Sequence, residues 1–191
     1  MTPSLEHLDL VEEDVLGLRL LRPRDAEALL SEEEFARDEF LPYWAELWPS
    51  ALELAEVVAQ RELAGLRVLE LGCGLAVPSL VAARAGGRVL ATDWADDAIA
   101  LVRENARRNG IAIEAAVVDW REPTTLLDRA PFDLVLAADV LYERRYVDVL
   151  LQLLPRLGGE ILLAEPGRPL AKRFLEQWHV EPVGERVFRL L

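Results

Sequence analysis

The stretch Val68-Leu-Glu70-Leu-Gly72-Cys73-Gly74-Leu75 decides the fold. A short apolar run enters two glycines and leaves toward a helical pattern. Pro78 suits a first helical turn, residues 79–85 continue it, and Gly86 and Gly87 stop it. Outward from this unit, strand-like and helix-like segments alternate to the C-terminus. Strands are expected at 67–71, 88–92, 113–118, 132–138 and 160–164, with a terminal pair at 180–183 and 186–190. The first five are mostly continuous apolar runs, as parallel strands buried on both faces require. Asp96 and Asp97 open one intervening helix and Arg107 and Arg108 close it before Asn109-Gly110, so charge follows the macrodipole. Tyr146, Val149, Leu150, Leu153 and Leu154 make one apolar helical face, ended by Gly158-Gly159. This alternation predicts an α/β fold with a doubly wound sheet.

The N-terminal part is less regular. Residues 16–21 read as a strand and 25–40 as an acidic helix. Ser50-Ala-Leu-Glu53 reads as a capping box, starting a helix near Ser50. With no repeat and no linker, residues 1–191 are expected to form a single domain. Residues 1–47 would be its N-terminal cover and substrate-side extension, and 48–191 its core.

Composition narrows the class. The chain has 191 residues, 52% hydrophobic and 29% charged, which suits one globular unit. No apolar run is long enough for a membrane span, and the acidic start MTPSLEHLDLVEED is unlike a signal peptide. The single cysteine, Cys73, excludes a disulfide framework and a cysteine zinc cluster. A cytoplasmic location is expected. The net charge is −13, and Lys172 is the one lysine among 21 basic residues. No basic stripe is visible, so nucleic acid is not an expected partner. The acidity serves either solubility or attraction of a basic partner.

Asp93 ends the second expected strand, 21 positions after Gly72. A carboxylate there can accept both ribose hydroxyls of an adenosine, so glycines and acid together predict an adenosine-type ligand. The third glycine of a dinucleotide fingerprint is missing, because Leu75, Ala76 and Val77 follow Gly74. Glu70 would repel a pyrophosphate but suits the ammonium of S-adenosylmethionine. The chain also lacks room for the separate substrate domain common in dehydrogenases. S-adenosylmethionine is therefore expected rather than NAD.

The sequence resembles the class I, seven-β-strand methyltransferases. Within them it resembles the methyltransferase-like protein-lysine methyltransferases of the electron-transfer-flavoprotein β-subunit group. The resemblance rests on Pro42-Tyr-Trp44-Ala-Glu-Leu-Trp48-Pro49, Glu70-Leu-Gly72-Cys73-Gly74, Asp93-Trp94, Asp119-Trp120 and Ala138-Asp139-Val-Leu-Tyr142. It implies a Rossmann-like, mostly parallel seven-stranded sheet whose last strand is antiparallel, with the cofactor over the carboxyl ends of the strands. It also implies cofactor contacts at Trp48, Gly72, Cys73, Gly74, Asp93, Trp120 and Ala138. Glu70, Trp94 and Asp119 join these on chemical grounds, Asp119 as acceptor for the adenine amino group and Trp120 as an apolar wall for the purine. Family members usually carry glycine near position 76, where this chain has Ala76.

Asp139 and Tyr142 match the family's Asp-x-x-Tyr motif, thought to engage the target lysine. Val140 and Leu141 replace the prolines that adenine and glutamine methyltransferases carry there. The implied reaction is direct in-line displacement from the sulfonium, releasing S-adenosylhomocysteine, with Asp139 orienting the amine and Tyr142 walling the channel. A protein with an accessible lysine is the expected partner, with no membrane and no metal, and a monomer is favoured. A small-molecule amine N-methyltransferase, a non-catalytic adenosine-binding module and a dehydrogenase stay as alternatives. Cys73 has no basic neighbour to activate it. His7 and His179 lack partners at metal spacing, and Trp178 is assigned to the core.

Overall fold

A computed structural model describes residues 5–29 and 42–191. The expected helix at 25–40 falls, from residue 30 on, outside the described residues, and Glu27–Leu29 form a single 3-10 turn. Among the described residues no helix is long and apolar enough to cross a membrane.

Seven strands make the central sheet: β3 (Arg67–Leu71), β4 (Arg88–Asp93), β5 (Glu114–Val117), β6 (Leu134–Ala138), β7 (Glu160–Ala164), β8 (Val180–Pro182) and β9 (Val187–Leu190). Their order is β5-β4-β3-β6-β7-β9-β8. β3 pairs in parallel with β4 on one side and β6 on the other, whereas β9 runs antiparallel to both β7 and β8. The last strand is thus the reversed one, as expected. The order turns back between β3 and β6, and at such a switch point an open α/β sheet leaves a crevice beyond the carboxyl ends.

Alternating side chains of the central strands feed two cores. Val68, Leu134, Leu136 and Leu162 pack under α1 (Pro49–Ala59), α2 (Val77–Arg84) and α3 (Asp96–Arg108). Leu69, Leu71, Val135, Leu163 and neighbours pack under α4 (Thr124–Leu127), α5 (Arg144–Leu157) and α6 (Pro169–Leu175). Strands covered on both faces have no solvated side, which is why their sequences run apolar rather than alternating.

Two local expectations need correction. Residues 16–21 are not one strand but the turn and second arm of a hairpin, β1 (Leu10–Val15) paired antiparallel with β2 (Leu18–Pro23). Leu16 and Gly17 both have positive φ, 53° and 72°, the requirement of a two-residue type I′ turn. A leucine at the first position hid that turn from the sequence reading. The hairpin docks on α3 through side-chain amides: Leu21 donates to Asn105 Oδ1 at 2.7 Å, and Asn105 Nδ2 donates to the Leu21 carbonyl at 2.9 Å. The capping box is also not formed. Helix α1 begins at Pro49 with Trp48 as N-cap and no side-chain cap bond, and Ser50 Oγ is buried without a partner. Proline at the first position presets φ and lacks the N–H that a cap would satisfy.

Candidate active site

The carboxyl ends of β3, β4, β5 and β6 open into a cleft of about 490 Å³, roofed by the segment from Tyr43 to Ala51. All the residues singled out from the sequence line it: Trp48, Glu70, Gly72, Cys73, Gly74, Asp93, Trp94, Asp119, Trp120, Ala138, Asp139 and Tyr142.

The turn after β3 is left-handed at three places, Gly72 (φ 61°), Gly74 (φ 49°) and Ala76 (φ 57°). A Cβ on Gly72 would lie 3.0 Å from the Trp120 ring, and one on Gly74 would lie 3.0 Å from the Trp44 carbonyl oxygen. The two glycines therefore bring the backbone under an aromatic rim. Asp93, buried at the end of β4, fastens the turn: Gly74 N–H donates to Oδ2 at 2.9 Å and Ala95 N–H to Oδ1 at 3.1 Å. Burial pushes its carboxyl up, and those backbone donors oppose the shift. Trp94 N–H is a third backbone donor to the same carboxylate, so of its about four acceptor positions about one is left for a ligand hydroxyl.

Glu70 is occupied differently from its expected role. Ser79 N–H donates to its Oε2 at 2.9 Å, so the carboxyl fills the N-terminal end of α2, where a phosphate binder would receive its anion. Burial pushes its pKa up to about 8, leaving it largely protonated at neutral pH. Asp119 is clasped by Arg121, whose Nε lies 3.0 and 2.9 Å from the two carboxylate oxygens and whose Nη2 lies 2.6 Å from Oδ2. That guanidinium holds the Asp119 carboxyl below its ordinary range. Cys73 is buried, and burial together with Asp93 and Glu70 pushes its thiol well up, the opposite of what a nucleophile needs.

Along the other wall runs a chain of edge-to-face rings. Tyr43 meets Trp48 at 6.0 Å and Tyr142 at 5.1 Å; Tyr142 meets Tyr146 at 5.8 Å, and Tyr146 meets Trp120 at 5.2 Å. The Trp48 indole N–H donates to the Tyr43 carbonyl at 2.8 Å. Burial pushes both the Tyr142 and Tyr146 phenols up, so both stay protonated near neutral pH. At the carboxyl ends of β4 and β5, Trp94 and Val117 offer apolar surface to the cleft, 38% and 46% exposed.

Asp139 follows β6 directly in a left-handed conformation, φ 55°, with its N–H donating to the Ala164 carbonyl at 2.9 Å. Its buried carboxylate is ion-paired with Arg168 Nε, and the Arg168 guanidinium lies 5.8 Å from the centre of the Trp48 ring. Arg168, Tyr43 and Tyr146 are cleft residues that sequence reasoning did not assign. Arg168 follows the carboxyl end of β7, so its place in the strand pattern was the available signal. Tyr43 lay inside the quoted aromatic motif, and Tyr146 read only as part of a helix face.

Elsewhere, His7 Nε2 lies 2.8 Å from Asp97 Oδ2, and Trp178 packs on Phe174 at 6.1 Å. Among the described residues no group of three His, Cys, Asp or Glu is arranged to hold a metal ion.

A family model described as lysine methyltransferase matches residues 42–173. The chain belongs to that family. This lysine methyltransferase family span contains the glycine turn, Asp93, the ring chain, Asp139 and Arg168. Two curated relatives are the histone-arginine methyltransferase METTL23 of Xenopus laevis and the electron transfer flavoprotein β-subunit lysine methyltransferase of Danio rerio. The first is 36% identical over 118 residues, 57% of this chain and 50% of that one. The second is 33% identical over 135 residues, 66% and 51% of the two chains. The chain thus spans about half the length of these curated relatives. Among solved structures it is similar to the T. thermophilus 16S rRNA N2 G1207 methyltransferase in complex with AdoMet and guanosine. That match has a TM-score of 0.67 and 19% identity, and covers 98% of this chain and 52% of that one, a likeness of fold. The expected cofactor, S-adenosylmethionine, agrees with membership of this family. The cleft also fits it, with a hydroxyl-accepting acid at β4, a close-approach turn at β3 and apolar walls.

Proposed function

We propose that the chain is an S-adenosylmethionine-dependent N-methyltransferase whose acceptor is the side-chain amine of a lysine in a protein. One observation carries the reading: Asp139 and Tyr142 share a single cleft with the Gly72–Gly74 turn and Asp93. When bound, S-adenosylmethionine supplies an electrophilic methyl group on a sulfonium sulfur. In this reading Asp93 takes a ribose hydroxyl with the acceptor position that Gly74, Ala95 and Trp94 leave open. Trp94, Val117 and Trp120 wall the purine, and Asp119, with its Arg121, stands at that end.

The acceptor amine must be neutral to attack, yet a lysine ammonium has an ordinary pKa of about 10.4. An unpaired carboxylate beside it would hold the proton on. Arg168 compensates the Asp139 charge, and the Tyr43 and Tyr142 rings disfavour the charged form by desolvation. Asp139 then orients an amine without fixing an ammonium. Oriented reactants gain about 7–11 kcal/mol from positioning, the larger part of what such a site needs to supply. Arginine is the second acceptor, supported by the likeness to METTL23 and by the guanidinium that Asp139 already holds.

The test is transfer of label from radiolabelled S-adenosylmethionine into a lysate lacking this protein, with Asp139→Ala as control. The expected result is a discrete protein band that is lost with the variant and yields methyllysine on hydrolysis, while the variant keeps its cofactor affinity. Methylarginine in that band would select the second acceptor. Label confined to small molecules would overturn the protein-substrate reading.

A further inference from the structure

We propose that Arg168 anchors the α-carboxylate of the cofactor, bridging it to Asp139; this rests on the cofactor reading above. The amino-acid end of the ligand brings an anion into a cleft lined by six acidic side chains: Glu46, Glu70, Asp93, Asp119, Asp139 and Glu143. That anion needs donors, and most candidates are already engaged. In the glycine turn Cys73 N–H donates to the Thr92 carbonyl at 2.9 Å, Gly74 N–H to Asp93 at 2.9 Å, and Ala76 N–H to the Cys73 carbonyl at 2.6 Å. The N-terminal end of α2 is taken by Glu70 through Ser79 N–H. The Trp48 indole N–H goes to Tyr43.

Two cations line the cleft among the described residues, Arg121 and Arg168. Arg121 gives Nε and Nη2 to Asp119, at the opposite end from Trp48. Arg168 gives only Nε, to Asp139, and among the described residues its two terminal nitrogens carry no hydrogen bond. Its guanidinium carbon lies 5.8 Å from the centre of the Trp48 ring, at the end of the cleft away from Asp119, where the reading above places the purine. A guanidinium has five donors in a rigid fork, so it can hold one carboxylate through Nε and present its terminal edge to another.

The experiment is calorimetric titration with two probes, S-adenosylhomocysteine and its decarboxylated analogue, which keeps the amine and lacks only the carboxyl group. Loss of a charge-assisted bond costs about 1.5–3 kcal/mol, or about 10–100-fold in affinity. Arg168→Met is expected to weaken S-adenosylhomocysteine by that factor and leave the decarboxylated analogue unchanged, and Arg168→Lys to recover part of the loss. Retained binding of the analogue shows that the variant is folded. Equal weakening of both probes would reduce Arg168 to a structural partner of Asp139 and overturn the proposal, as would no weakening of either. A wild-type chain that binds neither probe would overturn the cofactor reading itself.

Discussion

Replacing Glu70 by Gln tests the electrostatics at the root of the cleft. Glu70 is 1% exposed, and burial raises its pKa from 4.5 to about 8 despite the hydrogen bond from Ser79. Between those two values the folded chain holds a proton that the unfolded chain has released. Folding is then linked to proton uptake, so stability falls as pH rises through this window, by about 1.4 kcal/mol per pH unit. Across the whole interval the loss has an upper bound of about 5 kcal/mol, complete above pH 8. Glutamine keeps an oxygen for Ser79 N–H and cannot ionise. The stability of Glu70→Gln should therefore gain on wild type by about 1 kcal/mol for each unit between pH 5.5 and 7.5. Urea unfolding at several pH values measures this, read as the difference between the two proteins so that titrating groups not coupled to Glu70 cancel. A difference that stays constant with pH would refute the reasoning. It would mean that Glu70 is an ordinary carboxylate in the folded chain, compensated by the N-terminal end of α2.

Two further outcomes follow from the geometry. Gly74→Ala forces a Cβ to 3.0 Å from the Trp44 carbonyl oxygen at a φ of 49°, a strain of about 1–3 kcal/mol. Thermal unfolding should drop by about 2–4 °C per kcal/mol, and S-adenosylhomocysteine binding should weaken with it; an unchanged midpoint would show that the turn relaxes freely. Asn105→Ala leaves the Leu21 N–H and carbonyl buried without partners, at about 1–3 kcal/mol each. Hydrogen exchange should accelerate across β2 while β3 and β6 keep their protection, and uniform acceleration would show that the hairpin and the sheet open together.

The centre of the sheet was legible because β3, β4, β6 and β7 are buried on both faces, so apolar runs and glycine stops mark them, whereas the edge strands β5 and β8 are half exposed. The hairpin was not legible, since its turn depends on Leu16 accepting a conformation usually left to Asn, Asp or Gly. Within the cleft, short motifs at strand ends carried the reading: Asp93 and Asp139 each follow an apolar strand and can only emerge at its carboxyl end. What escaped were partners. Arg121 on Asp119, Arg168 on Asp139 and Ser79 on Glu70 are contacts between side chain and neighbour that strand spacing does not encode. Ala76 and Asp139 show a related blindness. Both are non-glycine residues with positive φ in the turns after β3 and β6, the two strands flanking the switch point. A left-handed residue costs roughly 1–2 kcal/mol, less for Asp, and persists only where packing over-determines it. Ala76 is held in a buried cluster with Cys73, Ala91, Ile99 and Val102, and Asp139 by Ala164 and Arg168.

These pairings change what the acidity of the chain means. Six acids line the cleft, but Asp119, Asp139 and Glu143 are each paired with an arginine, and Glu70 is largely protonated at neutral pH. The cleft is therefore far less anionic than its composition, and it is built less to trap a cation than to tolerate one. That is the requirement of methyl transfer to an amine, where the sulfonium is already positive and the nucleophile has to arrive neutral. A strongly anionic pocket would bind lysine tightly as the unreactive ammonium, lowering KM without raising kcat. Long-range attraction of a basic target, if the net charge of −13 serves it, falls to the outer surface, where screening over about 8 Å makes it sensitive to salt. Under the proposed lysine reading, recognition and reactivity would be carried by different charges: exposed acids would draw the target in, and the Asp139–Arg168 pair would receive its amine without holding the proton on.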